Sequence, residues 1–449
     1  MLFCCCKHDF AQSLFAFRQL RYEEDYSFLK TDTIRDWYRR IKFSPVSVNK
    51  NSYISYGGEG RIQFFYVHNE NWGDAQKPVD GYFLNRWLAH ADLHAGKQFR
   101  FFVQMQSSLA YSRVAPGPVD KNPIEIHQAF ADFSTKQHKR VSFLLRVGRQ
   151  EFLYGSQRLI SVREGPNNRQ SFDAVKGILS LPGQRLDIFY SHPVAAKPGS
   201  FDDGFNRNTK FWGLYYQRNN VPLIKNIDLY YLGIWKRMAT FNDGGGRELR
   251  HSAGTRIWGS IDNWQYDLEA LYQFGKLAEK TISAWTVSVN AAYQFRAVQT
   301  KPVLGLKTEL ISGDRMNGDN KLQTFNPLFP RGAYFGLAAL IGPVNLIDIH
   351  PSFSFSPAKR IGVNIDYDIF WRFSTSDGLY AVNVSLIYPG NTVQNKSIGR
   401  QLAFDVSYRA NALLNFTAEF TWFNAGAYLK AVGRGRDILF TGLTAQMKL

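Results

Sequence analysis

A chain of 449 residues is long enough for two or three soluble domains or for one closed barrel. It is 45% hydrophobic and 15% aromatic, yet its mean hydropathy is -0.29 and no apolar run reaches the ~18 residues of a membrane-crossing helix, so helical spans are excluded and the apolar residues must be interleaved with polar ones. The formal net charge of +17 calls for an anionic partner, whether nucleic acid, an acidic membrane surface or an acidic solute.

The only cysteines are Cys4, Cys5 and Cys6, which excludes a disulfide framework or a cysteine-based zinc site in the rest of the chain. They suit acylation poorly, because too few residues precede Cys4 for a lipoprotein signal. MLFCCCKHDFAQ reads instead as the tail of an export signal, and residues 1–18 as a residual leader. Residues 19–51, which include the charged and aromatic run LRYEEDYSFLKTDTIRDWYRRI, read as a periplasmic lead-in with a short helix at a barrel entrance.

From residue 52 to 449 the pattern has a period of two. Ile62, Phe64 and Tyr66 share one face, and Glu59, Arg61 and Gln63 the other. Trp87, Ala89 and Leu93 oppose Arg86, His90 and Asp92; after a turn at Ala95 and Gly96, Phe99, Phe101 and Val103 oppose Arg100 and Gln104. The same rule holds for Tyr266, Leu268 and Tyr272 against Asp267 and Glu269, and for Val363, Ile365 and Trp371 against Asp366, Asp368 and Arg372. It holds to the end, with Leu439, Leu443 and Met447 against Gln446 and Lys448. Carboxylates alternating with aromatics are costly in a soluble core and natural where lipid lies outside and water inside. About eighteen such segments fit, an even number suited to a transmembrane antiparallel up-and-down β-barrel of the bacterial outer membrane. Short periplasmic turns (as at Leu181 to Gly183) alternate with long extracellular loops (as at Gly313 to Val344), leaving no room for a large N-terminal plug. Gly-rich FNDGGGREL, Phe241 to Leu249, reads as an exposed loop tip.

Catalytic signatures are missing. There is no nucleophile elbow, no paired metal-binding histidines and no phosphate-cradling loop. The nearest serine–histidine neighbours, His251 and Ser252, fall on opposite faces of a strand. His90, His94 and His127 read as barrel-wall residues. Asp314 and Asp319 could hold calcium, but the six or more oxygens required are not in sight, so they read as solvated loop carboxylates. No cofactor is expected, and the chain reads as non-enzymatic.

Charge is the remaining chemistry. Five arginines (Arg146, Arg149, Arg158, Arg163 and Arg169) lie in or beside one loop with few acids near them, either as an anion site or as a solvated loop. Parity puts Arg61, Arg86, Arg100, Arg146, Lys176, Arg256, Lys307, Arg372 and Arg409 inside, with Glu59, Asp187, Asp267, Glu269, Glu309 and Asp366 among the acids. These are either cross-strand ion pairs lining a wet lumen or guanidiniums that select anions, held extended by the acids. Strict alternation from Val147 turns Arg149 outward; a bulge at Gly148 would turn it in.

LRVGRQE at Leu145 to Glu151, the following YGSQRLISVREGPNNRQSFD, NWQYDLEALYQFG at Asn263 to Gly275, SGDRMNGDN at Ser312 to Asn320, and FNPLFPRGAYFG through NLIDIHPS at Phe325 to Ser352 resemble the alginate export porin family. The resemblance runs from about Tyr53 to the C-terminus, and the GRQ and FNPLFP blocks together are specific. It implies an eighteen-stranded barrel with an arginine-lined constriction through which a uronate polysaccharide passes. Arg146, Arg149 and Lys176 fall on the family's arginine-bearing strands. Lys176 stands where arginine is more usual, a departure that removes bidentate carboxylate recognition. The expected function is an outer-membrane channel for anionic polysaccharide or anionic solutes, with Arg158 and Arg163 joining the parity set as ligands. The alternatives are a general anion-selective porin for uptake of small acidic nutrients and a surface adhesin. Expected partners are the anionic polysaccharide or acidic solute, outer-membrane lipid and periplasmic export components, with no nucleic acid.

Overall fold

Eighteen long strands form a closed antiparallel barrel in the computed structural model, which describes residues 16–34, 36–75, 81–137 and 141–449. The cysteines and most of the expected leader lie outside the described residues. The first nine strands are β1 Tyr53–His68, β2 Tyr82–Ala95, β3 Phe99–Tyr111, β4 Asn122–Gln137, β5 Val141–Gln150, β6 Phe172–Leu181, β7 Gln184–Ala195, β8 Thr209–Val221 and β9 Lys225–Phe241. The second nine are β10 Gly244–Ile261, β11 Trp264–Leu277, β12 Lys280–Gln294, β13 Val303–Ile311, β14 Leu346–Ala358, β15 Ile361–Arg372, β16 Ser397–Arg409, β17 Leu414–Ala425 and β18 Ile438–Lys448. Each pairs with its successor, and β18 returns to β1, setting Glu59 opposite Lys448 and His68 opposite Leu439.

Closure follows from the solvent. In hydrocarbon every backbone N–H and C=O must find a partner within the protein, so a sheet survives there only when it has no edge. The period-two pattern then sorts the side chains. Ile62, Tyr66, Trp87, Phe101, Val147, Ile188, Tyr272 and Leu443 lie exposed on the outer face, while their neighbours Arg61, Arg86, Asp187 and Gln273 are buried inside. An apolar belt of that extent is a lipid-facing surface.

The inside differs from the water-filled lumen that the sequence pattern suggests. The connection 151–171 between β5 and β6 folds into the barrel and meets the connection 312–345 between β13 and β14. Ile160 bridges to Phe329, the Ser161 amide donates to the Phe329 carbonyl at 2.9 Å, and the Phe329 amide donates to the Leu159 carbonyl at 2.9 Å. Phe152, Phe172, Phe189, Phe211, Phe325 and Phe329 are all buried in the largest apolar cluster, where inward-facing residues of the wall strands pack against the two loops. Asn167 pins the first loop: its Nδ2 lies 3.0, 3.1 and 2.9 Å from the carbonyl oxygens of Asn85, Leu109 and Asp120.

The lead-in also enters. After 3-10 turns at Arg21–Glu23 and Ser27–Thr31 comes helix α1, Trp37–Lys42, started by Asp36, whose carboxylate accepts from the Arg39 amide. Tyr22 packs inside against Phe102 and Phe130. Arg21 donates to the carbonyls of Gly58 (2.9 Å) and Leu449 (2.6 Å), across the seam where β1 and β18 join. Among the described residues, this small segment and the two loops occupy much of the bore.

Two local expectations are corrected. Gly244 to Gly246 is strand, pairing with Phe241, Thr240 and Ala239, and only Asn242 and Asp243 make the turn. Gly148 forms no bulge, because the ladder runs through it in register on both sides. Its φ of 127° instead lets two backbones approach: a Cβ there would lie 2.3 Å from the Ala129 carbonyl oxygen. Gly148→Val is therefore expected to destabilise the barrel by about 2 kcal/mol or more, read as a lower urea midpoint of the heat-modifiable folded band on gels.

Candidate functional site

The loop 151–171 and the wall around it gather most of the predicted cations, and nearly all of them are already engaged. Arg146 on β5 makes a bidentate contact with Asp132 on β4, both distances 2.7 Å, and stacks on Tyr22 and Phe130 at 4.1 and 4.0 Å. Arg100 on β3 binds Asp92 at 2.7 and 2.6 Å and donates to the Tyr22 carbonyl at 2.6 Å. Arg61 donates to the carbonyls of Glu164 (2.7 Å) and Pro166 (2.9 Å), and Arg86 to the carboxylates of Glu59 (2.6 Å) and Glu164. Arg169, one of the loop's five arginines, holds Glu151 at 2.8 Å and the Gln19 carbonyl at 3.0 Å. Lead-in, loop and wall thus share one hydrogen-bonded network.

A second group lies on the far wall. Arg158 reaches from the loop to Tyr334 (2.9 Å), Glu309 (2.9 Å), Glu269 (3.4 Å) and Thr286 (3.0 Å). Arg256 is bidentate to Asp267 at 2.8 and 2.6 Å and meets Asp228 at 3.1 Å. Lys307 pairs with Glu309 at 2.9 Å beneath the rings of Tyr334 and Phe335. Lys176 is buried 3.9 Å from Asp187, over Phe152 and Tyr154. Tyr154, Tyr215 and Tyr230 stack in a column at 4.8 and 5.3 Å. The column is an element the charge-centred sequence reading passed over, although Tyr215 and Tyr230 share parity with inward residues.

Three predicted residues sit elsewhere. Arg149 stays on the outer face, bound to Asp173 (2.8 Å) and to the carbonyls of Ile126 and Asp203. Its inward turn is corrected because no bulge forms. Arg372, wholly buried, is closed upon the carbonyls of Val393 and Asn395, both at 2.7 Å, and stacks on Tyr428 of helix α2, Ala427–Val432. It anchors the connection between β15 and β16 at the end of the strand. Arg409 is exposed at the end of β16.

Arg163 is the exception. Held at φ 54° in the loop, it forms no ion pair among the described residues and lines a cavity of about 170 Å³ with His127, Asn168 and Arg169. Burial pushes its guanidinium down to about 10, still cationic at neutral pH. At the opposite, short-turn end, which faces the periplasm in this architecture, a cavity of about 910 Å³ opens between lead-in and wall.

Histidine and acid placements are equally specific. His251 points outward to the Tyr231 hydroxyl at 2.6 Å, and Ser252 inward to Gln273 at 3.0 Å, so the two cannot cooperate. Asp314 and Asp319 approach Asp243, and the Lys280 ammonium donates to Asp243 and to the Asp319 carbonyl (2.8 Å), supplying the cluster with positive charge.

A family model for alginate export matches residues 52–438. The chain belongs to the alginate export family. No curated protein matches it by sequence. Among solved structures it is similar to three outer-membrane proteins of Pseudomonas aeruginosa. OccD3 (OpdP) matches with TM-score 0.58, 10% identity and 91% of this chain on 93% of that one. OccK2 (OpdF) in complex with glucuronate matches with TM-score 0.57, 10% identity and 88% on 98%, and OpdO with 0.56, 11% and 88% on 97%. At that identity the likeness is one of fold. Family and fold together make this member of the alginate export family an outer-membrane channel.

Two outcomes follow from the pairing. Asp132→Asn leaves Arg146 uncompensated and is expected to cost about 3 kcal/mol, whereas Arg149→Ala on the outer face, where Arg149 and Asp173 are 15% and 27% exposed, costs about 1 kcal/mol; urea titration of the detergent-solubilised barrel separates them. Burial, then the Asp243 carboxyl, pushes Asp314 up to about 7 from 3.8. The folded protein therefore holds a proton there that the unfolded chain releases, so this contribution is full below about pH 4 and is lost as pH rises to about 7. Asp314→Asn should flatten the melting temperature across that window.

Proposed function

We propose that this channel passes anionic solutes, with uronate-bearing polysaccharide as the substrate class, and that anions enter from the periplasmic end. The observation that carries the reading is the 910 Å³ cavity: Arg18, Lys30, Lys50 and Lys97 line it against Glu23, Glu24 and Asp25, and Arg100 and Arg185, bound to Asp92 and Asp187, complete its wall. A mouth lined predominantly by one sign of charge concentrates counter-ions from solution. At its inner end Arg100 and Arg146 are held by the carbonyl and ring of Tyr22, which stand where a substrate carboxylate and sugar face would go. A carboxylate accepts from a guanidinium better than a neutral carbonyl does, so an entering chain exchanges for the lead-in rather than creating new sites. Arg163 and Lys176 continue the path beyond it. Several exchangeable contacts suit transport, because one tight site would halt flow.

Uptake of small acidic nutrients is the second reading, favoured by the fold likeness to a porin solved with glucuronate. Planar-bilayer recording distinguishes the two. Under the polymer reading, oligouronates block the open-channel current and glucuronate does not; indifference to oligomers sinks it in favour of the small-solute porin. Arg163→Ala should weaken that block roughly tenfold, the ~1.4 kcal/mol scale of a charge-assisted hydrogen bond. Removing the lead-in's anchor and stopper together, Arg21→Ala with Tyr22→Ala, should raise unblocked conductance several-fold.

A further inference from the structure

Beside Lys307 and Glu309 of β13, β14 and β15 place Asp348, His350 and Asp368 together, offering ligand atoms that all lie within 4.8 Å of one another. Asp348 is fully buried, and neither of its carboxylate oxygens has a hydrogen-bond partner among the described residues. A bare carboxylate shut away from water is among the costliest arrangements in a folded chain, and it requires a counter-ion or a proton. The nearest cations stand beside Glu309 rather than on Asp348: Lys307 lies 2.9 Å from that glutamate, Arg158 holds it too, and neither donates a hydrogen bond to the Asp348 carboxylate.

His350 points the same way. Its Nε2 lies 2.8 Å from Asp366 in a hydrogen bond. Its Nδ1 faces Asp368 Oδ1 at 2.7 Å, and both atoms are shut off from solvent. Two donor atoms at that separation, with the bare Asp348 carboxylate beside them, can ligate a shared third centre. An imidazole that gives one nitrogen to a carboxylate and presents the other is the usual way a protein fixes a metal-binding tautomer. Asp368 is steadied in turn through its other oxygen by Gln401 at 3.1 Å, and Gln401 also donates to the Phe335 carbonyl of the inward loop at 2.5 Å.

We propose that Asp348 and Asp368, with Nδ1 of His350, bind one divalent first-row transition-metal ion in the barrel wall, with Asp366 as the positioning residue. Two carboxylates and an imidazole are the donor set of zinc and manganese rather than of calcium or magnesium, which take oxygen alone. Through Asp368, Gln401 and Phe335 the ion ties the wall to the loop 312–345.

The test uses the full-length barrel in detergent, stripped with chelator and titrated separately with Zn²⁺ and Mn²⁺, metal content being read by elemental analysis after desalting. About one equivalent of one of them should be retained, with Asp348→Asn and His350→Gln each weakening retention at least tenfold and Asp366→Asn weakening it less. Heat-modifiable mobility shows which variants are folded, and Asp314→Asn in the distant acidic cluster should bind like the parent chain. No stoichiometric metal on the parent protein, or retention unchanged in folded Asp348→Asn, would overturn the assignment in favour of a protonated carboxyl. Tight Ca²⁺ binding without Zn²⁺ or Mn²⁺ would overturn it as well.

Discussion

Everything inside this barrel answers to one constraint: a guanidinium removed from bulk water must be given an oxygen. Alternation along strands that cross lipid delivers arginines and carboxylates to the inner face, because the outer face must stay apolar. Once the loop 151–171 and the lead-in fold into the bore, these groups are cut off from solvent. Most are then matched, Arg146 with Asp132, Arg256 with Asp267, Arg86 with Glu59; among the described residues Arg163 and Asp348 are not. Replacing a water shell costs several kcal/mol per ion, recovered only when geometry and hydrogen bonding are both good. The bidentate contacts on β4, β5, β10 and β11 have that geometry. The net result is a wall that is polar in composition and close to neutral over much of its area, with cationic excess confined to the periplasmic mouth and to Arg163.

That distribution bears on selectivity. A bore lined throughout by unpaired arginines would hold a polyanion too firmly to release it. Paired arginines offer a carboxylate only the difference between one acceptor and another, which is small, and so favour exchange over capture. The lead-in's backbone carbonyls are the weakest of the present acceptors and therefore the first to yield.

The fold was readable from residue order because it rests on local alternation: Ile62, Phe64 and Tyr66 against Glu59, Arg61 and Gln63 already state which side meets lipid. Strand number and the short-turn and long-loop sides followed from the same pattern. The interior was not readable, because nothing local says that a polar loop such as 151–171 turns inward; that depends on Asn167 finding three carbonyls on separate strands and loops and on Ile160 meeting Phe329 from a segment far along the chain. For the same reason Arg372 looked like a bore residue by parity, although distant loop carbonyls claim it. Gly148 shows the converse error. Its glycine signalled a special backbone, but the special feature was close approach to Ala129 rather than a bulge, and parity alone placed Arg149 correctly. Asp348, His350 and Asp368 carry no motif, since two come from one strand at a spacing shared by many wall residues and the third from its neighbour.

Arg21 bridges Gly58 and Leu449, one carbonyl from each of the two strands that meet last in the ring. That pair of acceptors is brought together only by ring closure, so this one side chain couples the seat of the lead-in to the seam of the barrel.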